Sequence, residues 1–169
     1  MRGFWLITLP LFLIDQITKG LAYWKLEEPV PVIPGFFTFE LAFNTGAAFG
    51  MLKDNNLFFI IISIIATLII GWLLIAGKFD QPRLMWVAGW LMLAGVLGNL
   101  TDRIWNGAVI DFLLFYVGSY AWPNFNIADS CICVAVGLIF VSSFQVEIME
   151  RKKKAAESEA AAAENKPEA

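Results

Sequence analysis

The chain contains no histidine. That single absence excludes Ser-His and Cys-His nucleophilic pairs, His-ligated zinc and imidazole general bases. Cysteine is nearly absent too: Cys131 and Cys133 are the only two, and they lie two positions apart in an apolar run. On a helix they point to nearly opposite sides, so they cannot bridge to one another and read as small apolar residues. Charge is sparse, at 16% of 169 residues. Four of the acids (Glu157, Glu159, Glu164, Glu168) lie after Lys154, where Lys166 is the one base, so the net charge of −3 describes that stretch more than the rest of the chain. No basic stripe suggests nucleic acid as a partner. What chemistry there is must come from carboxylates, amides, hydroxyls, lysine and arginine.

Apolar sequence, by contrast, is abundant: 59% of the chain is hydrophobic, and the mean hydropathy is +0.67. The apolar residues come in blocks, and a bilayer span needs about 20 of them. Phe4 to Tyr23, Leu57 to Ala76, Leu84 to Leu100 and Ile127 to Val146 each qualify. The first is not a cleaved leader, because no small-residue cleavage site closes it and it carries Asp15, Gln16 and Lys19. The expected fold is therefore an all-α polytopic membrane protein with four transmembrane helices. Residues 1–150 form the membrane domain. Residues 151–169, basic and then Ala/Glu-rich, form a cytoplasmic tail expected to be disordered or a frayed helix.

Basic residues orient the spans. Arg2, Lys78, Arg83 and the run Arg151 to Lys154 lie on one side, against only Lys25, Lys53 and Arg103 on the other. The positive-inside rule then places both termini in the cytoplasm and the first and third loops outside. Loop one contains Pro29, Pro31 and Pro34, which exclude a helix, and then Phe37 to Phe43, which suits a short strand. Val109 to Val117 could supply a second extended piece, so a small extracytoplasmic sheet is expected. Between them, Asn44-Thr-Gly-Ala-Ala-Phe-Gly is a small-residue turn able to bring backbone close to a ligand.

On this map the polar residues gather on one side: Asp15, Lys19, Asn44, Asn99, Arg103, Asp111, Asn126 and Asp129 all fall in outer loops or at outer ends of spans. Asp15 and Lys19 form an i,i+4 pair, either a helix-orienting salt bridge or part of a site. An ionisable residue at that depth should face the bundle, not lipid. Gly95, Asn99, Asp102 and Arg103 share one helical face. Asp111 could be a residue of an exposed strand. Asp129 could be an acid at the third position of a helix capped by Asn126. Taken together, two carboxylates flanked by Asn99 and Asn126 also make a dyad in which one keeps a proton. The ionised one activates water and the protonated one donates to a peptide carbonyl.

Five blocks stand in order along the chain: Asp15-Gln-Ile-Thr-Lys19, Asn44-Thr-Gly-Ala-Ala-Phe49, Gly98-Asn-Leu-Thr-Asp-Arg103, Val109-Ile-Asp111-Phe and Phe125-Asn-Ile-Ala-Asp129. With them the chain resembles the lipoprotein signal peptidase (signal peptidase II) family over nearly all its length before the tail. Ala94 departs from the family's usual glycine there. The resemblance implies an aspartic endopeptidase of the bacterial cytoplasmic membrane that cuts prolipoproteins before a diacylglyceryl-modified cysteine. It implies Asp111 and Asp129 as catalytic residues, and Asn44, Asn99, Arg103 and Asn126 as substrate-binding ones. Asp15 and Lys19 would support them, with no metal or cofactor. Membrane lipids and a globomycin-type inhibitor are the other implied partners. A small ion- or proton-coupled membrane protein, with Asp15, Lys19 and Asp102 as a relay, is the alternative.

Overall fold

A computed structural model describes residues 2–46, 52–79 and 82–164, with side chains described as far as 154. In chain order a π-helical turn, Phe4–Thr8, leads into α1 (Leu9–Lys25). Then come β1 (Val30–Ile33), β2 (Phe37–Asn44), α2 (Asn56–Ile75), α3 (Arg83–Asn106), β3 (Val109–Val117), β4 (Tyr120–Ala121) and α4 (Ile127–Glu164). Among the described residues four helices are long and apolar enough to cross a membrane: Phe4–Lys25, Asn56–Ile75, Arg83–Asn106 and Ile127–Lys154. The protein is mostly helical, with the character of a multi-pass membrane protein. The helix of α4 continues past the apolar run through the basic residues. The small-residue turn expected after Asn44 falls, from Ala47 to Gly50, outside the described residues.

The third helix is the axis of the bundle, in contact with α1, α2 and α4. Its small residues explain the fit to α4. A Cβ on Gly95 would run into the carbonyl oxygen of Ala128, and one on Gly98 would lie 3.0 Å from the Ala128 Cβ. Close helix approach through small residues is a usual mode of packing in lipid. α2 shows the opposite character. Its side chains are apolar around the whole helix and mostly exposed, which suits a helix whose solvent is lipid. At the end of the bundle away from the sheet, Leu74, Trp90 and Leu93 pack with Phe4, Ile7 and Trp86. There the buried Thr8 Oγ1 donates to the Trp90 carbonyl at 2.8 Å.

The two long connections pair with each other. β1, β2, β3 and β4 form one antiparallel sheet in that order. Because β2 comes from the loop after α1 and β3 from the loop after α3, both loops lie on the same side of the bundle. The proline-rich stretch Val30–Ile33 was expected only to break a helix, and it forms an edge strand. Pro31 is tolerated there because an edge has ladder positions that need no donor. Phe36, Phe37, Phe39, Phe112, Phe115 and Phe125 stack and edge-pack across the strands. Such cross-strand aromatic pairs stabilise a small sheet by ~0.5–1.5 kcal/mol each beyond the area they bury.

One backbone feature decides where the site forms. Gly107 ends α3 in the left-handed region (φ 73°), so the chain reverses and enters β3 two residues later. The polar end of α3 is thereby set against the start of β3.

Candidate active site

Strand alternation brings Asp111 to a defined face. It is paired with Ala42 across the sheet, and Asn44 is paired with Val109. Diagonal neighbours on one face are within reach. Accordingly Asn44 Nδ2 donates to Asp111 Oδ2 at 3.1 Å. The other carboxylate oxygen accepts from Asn126 Nδ2 at 2.7 Å. Asp111 is 1% exposed.

Asp129 stands in the first turn of α4. Its main-chain N–H donates to Asn126 Oδ1 at 2.9 Å, and its Oδ2 accepts from the Asn126 N–H at 3.2 Å. This is the reciprocal capping arrangement that the Asn126-x-x-Asp129 spacing suggests. The remaining oxygen of Asp129 accepts from Asn99 Nδ2 at 2.7 Å. Asn126, fully buried, therefore bonds to both aspartates at once, and its amide also reaches Asn99 Oδ1 at 3.2 Å. Every acceptor of the pair faces an N–H donor, as buried carboxylates require.

Burial pushes the Asp111 carboxyl up to about 7, and the nearby charge of Asp129 adds to the rise. The amides of Asn44 and Asn126 and the Lys19 charge oppose it. A carboxyl with that affinity holds a proton for much of the time near neutral pH.

Beneath the pair lies an ionic cluster. Lys19 Nζ sits 2.8 Å from Asp15 Oδ2, 3.0 Å from Asp102 Oδ2 and 3.0 Å from Asn99 Oδ1. The i,i+4 pair on α1 is thus real, and it is buried. All eight residues expected at a site are found on the sheet side of the bundle. Seven of them, Asp15, Lys19, Asn44, Asn99, Asp111, Asn126 and Asp129, join one continuous hydrogen-bonded network.

Among the described residues Arg103 meets that network only through Gly46, whose N–H donates to Asn44 Oδ1 at 3.0 Å. Its Nη2 donates to the Gly46 carbonyl at 2.8 Å, and its guanidinium lies 4.9 Å from the Phe59 ring centroid. Among the described residues its buried Nε has no acceptor. Three further residues that the sequence reading did not assign to the site belong to this region. Gln16 donates to Asp15 at 3.1 Å and to Asp102 at 3.4 Å. Asn56 donates from the start of α2 to the Arg103 carbonyl at 3.0 Å. Asp102, read only as part of a polar face or a relay, pairs with Lys19. Its place at i+7 from Gly95, on the buried face, was the available signal.

Beside Asp129 opens a cleft of about 490 Å³. Asn44, Asn124, Asp129 and Ser130 contribute polar groups to its wall, and Trp122, Phe125, Ile132 and Val134 line much of the rest. Val134 is 54% exposed on a membrane-spanning helix, so the cleft reaches the lipid-facing surface of α4.

Four spanning helices, a sheet closing one end of the bundle and buried carboxylates beside an apolar cleft define a multi-pass membrane protein with a polar site at its rim. Comparison with known proteins is decisive about which. The sequence profile of the family described as signal peptidase (SPase) II matches residues 7–145. The lipoprotein signal peptidase of Symbiobacterium thermophilum is 43% identical over 136 residues, covering 79% of this chain and 89% of that one. That of Halalkalibacterium halodurans is 36% identical over 154 residues, covering 89% and 97%. A solved bacterial membrane enzyme, determined by the in meso method at 2.3 Å resolution, superposes with a TM-score of 0.73. It is 34% identical and covers 83% of this chain and 86% of its own. This chain belongs to the signal peptidase II family, the peptidases that cleave signal peptides from lipoprotein precursors. The proton-relay alternative is not favoured, since the matching family and relatives are peptidases. In α2 only Ser63 and Thr67 are hydroxyl-bearing, and Thr67 bonds back to the Ser63 carbonyl.

Proposed function

We propose that the chain is an aspartic endopeptidase in which Asp111 and Asp129 act as the catalytic pair. The observation that carries the reading is Asn126, which binds a carboxylate oxygen of each. Asp129 borders the cleft and meets the incoming water and scissile peptide. Asp111, behind it and with its affinity raised toward neutral pH, holds the proton. The ionised carboxylate takes a proton from water as the hydroxyl adds to the peptide carbonyl carbon. The protonated carboxyl gives its proton to the carbonyl oxygen. Collapse of the tetrahedral intermediate then returns a proton to the leaving amine nitrogen.

Asn44, Asn99 and Asn126 keep the carboxylates oriented and offer polar contacts to substrate backbone. Arg103, held against Gly46 and Phe59, is assigned to substrate binding with them. The substrate is a prolipoprotein whose cysteine carries diacylglycerol, cut just before that cysteine. Its acyl chains stay in the bilayer, and the apolar stretch of the cleft along α4 suits their lateral entry. The sheet and site lie at the outer face of the bacterial cytoplasmic membrane, with both termini cytoplasmic. A globomycin-type cyclic peptide would compete for the cleft.

The test is turnover of a diacylglyceryl-modified precursor by Asp111→Asn and Asp129→Asn variants in detergent or lipid. Proton transfer is worth about 10²–10⁴-fold per group, and the pair acts as a unit. Each single variant should lose nearly all cleavage, and the double variant little more. Substantial cleavage by either single variant would remove the dyad from the mechanism.

A further inference from the structure

Each aspartate of the pair is preceded in sequence by a residue whose main-chain N–H is held by another carboxylate. The Ala128 N–H, just before Asp129, donates to Asp15 Oδ1 at 2.8 Å. The Ile110 N–H, just before Asp111, donates to Asp102 Oδ2 at 3.1 Å. Both of these outer carboxylates are joined by the same ammonium, Lys19 Nζ, at 2.8 and 3.0 Å. We propose that Asp15, Lys19 and Asp102 form a positioning clamp that sets where the two catalytic aspartates stand relative to one another, acting through the backbone of β3 and of α4. The proposal rests on the dyad reading above, and it assigns Asp102 a role that spacing alone does not suggest.

The geometry makes Lys19 a positioning residue and not a binding one. An ammonium has three donors. Asp15, Asp102 and the side-chain oxygen Oδ1 of Asn99 take all three, and Lys19 is 1% exposed. Nothing remains for a substrate. The third bond extends the clamp, because Asn99 passes the contact on through its Nδ2 to Asp129 Oδ1 at 2.7 Å. Asp102 is held at both oxygens, with Gln16 Nε2 approaching Oδ1 at 3.4 Å. Its carboxylate therefore cannot swing away from Ile110 without breaking an ion pair.

Buried ion clusters are poor devices for stability alone, since apolar residues of similar volume often serve as well or better. They do impose distance and direction, which apolar contact does not. Here the two N–H groups belong to different elements, a strand and a helix, separated by the β4 excursion. The close approach that lets Asp15 reach Ala128 depends on Gly98, where a Cβ would stand 2.6 Å from Asp15 Oδ2. A misplacement of about 1 Å at reacting groups costs about 10²-fold in rate.

Steady-state kinetics on a diacylglyceryl-modified precursor, with Asp102→Ala and Asp102→Asn compared, provide the test. Asp102→Ala removes the acceptor for Ile110. It should lower kcat about 10²-fold, with KM changed by no more than a few-fold, in protein shown to be folded by its melting transition. Asp102→Asn keeps one oxygen for the Ile110 N–H and should stay within about tenfold of the parent kcat. Lys19→Met should resemble Asp102→Ala. If that variant fails to insert because two carboxylates are left unpaired, the two Asp102 variants decide alone. Parental kcat in Asp102→Ala would overturn the clamp. So would equal loss in Ala and Asn, which would make the charge itself the working part, or a loss wholly explained by the folded fraction. The dyad is tested separately: inactive Asp111→Asn and Asp129→Asn beside a fully active Asp102→Ala would remove the clamp and leave the dyad standing.

Discussion

Asp111→Asn should destroy cleavage and yet stabilise the protein above neutral pH. The carboxyl of Asp111 is raised from 3.8 to about 7 in the folded state. Between those values the folded chain binds a proton that the unfolded chain has released, so stability falls as pH rises through the window and levels off above it. A displacement of about three pK units at ~1.36 kcal/mol each amounts to about 4 kcal/mol forfeited by pH 8. Asparagine removes that penalty but introduces another. Two amide donors, Asn126 Nδ2 at 2.7 Å and Asn44 Nδ2 at 3.1 Å, now face one oxygen and one NH₂ group. A donor left without its acceptor costs about 1–3 kcal/mol. The net gain at about pH 8 is then about 1–3 kcal/mol.

For a chain of this size each kcal/mol moves the melting temperature by about 2–4 °C. Melting of the parent and the variant in the same detergent, from about pH 5 to about pH 9, gives the comparison. At about pH 5 the folded Asp111 is still neutral and only the unfolded one has ionised, about one pK unit above its 3.8, so less than half of the penalty is present and the variant should melt near or below the parent. The difference should then change sign and reach a plateau above pH 7. A difference that stays constant across the range would refute the raised affinity and, with it, the assignment of the proton to Asp111. In the parent, turnover should fall as pH rises through about 7, with an apparent value that belongs to the pair.

Two other outcomes follow from packing and topology. Gly98→Ala would place a Cβ 2.6 Å from Asp15 Oδ2, so it should lower stability by about 1–3 kcal/mol and reduce turnover; Gly137→Ala, with nothing within 4 Å of the added carbon, should do neither. Cysteines introduced at Asn55 and at Ser119 should both react with an impermeant reagent applied from outside the cell, and labelling of either from the cytoplasmic side only would reverse the proposed orientation.

How far the sequence could be read depends on which physical constraint acted at each place. In a bilayer every backbone group must be satisfied within the segment, so apolar length alone marks the spans. The observed helices begin and end within a few residues of the apolar runs, apart from α3, which runs on to Asn106, and α4, which also continues beyond its run. Asp15 and Lys19 were legible because a one-turn spacing needs no tertiary knowledge. Scarcity of charge pointed to Asp111 and Asp129. Contacts made across the fold were not legible. The strand of Val30–Ile33 exists because β2 is there to pair with it, and its prolines hid it. Asp102 meets the Ile110 N–H only because Gly107 reverses the chain between them. Arg103 was expected among the polar residues of the site, but its contacts with Gly46 and Phe59 come from two other segments.

Asp129 shows why a local rule and a functional reading need not compete. The sequence left two accounts of it, an acid capping a helix or half of a catalytic pair, and the reciprocal bonds with Asn126 satisfy the first in full. The same bonds serve the second. A carboxylate used in catalysis must hold its direction while its charge changes, and the two reciprocal bonds fix Asp129 to the backbone at the start of α4. Asn126 turns its remaining amide toward Asp111, so the residue that starts the helix also ties the two carboxylates together. Capping alone would tolerate Asp129→Asn, since the two side chains are comparable at helix starts. Beside Asn99, however, the substituted group must oppose an Nδ2 donor that now sits 2.7 Å from a carboxylate oxygen. The variant should therefore keep the helix start, at a cost of about 1–3 kcal/mol for that opposed donor, and lose the chemistry; cooperative melting within that margin of the parent together with absent turnover is the combination that separates mount from catalyst.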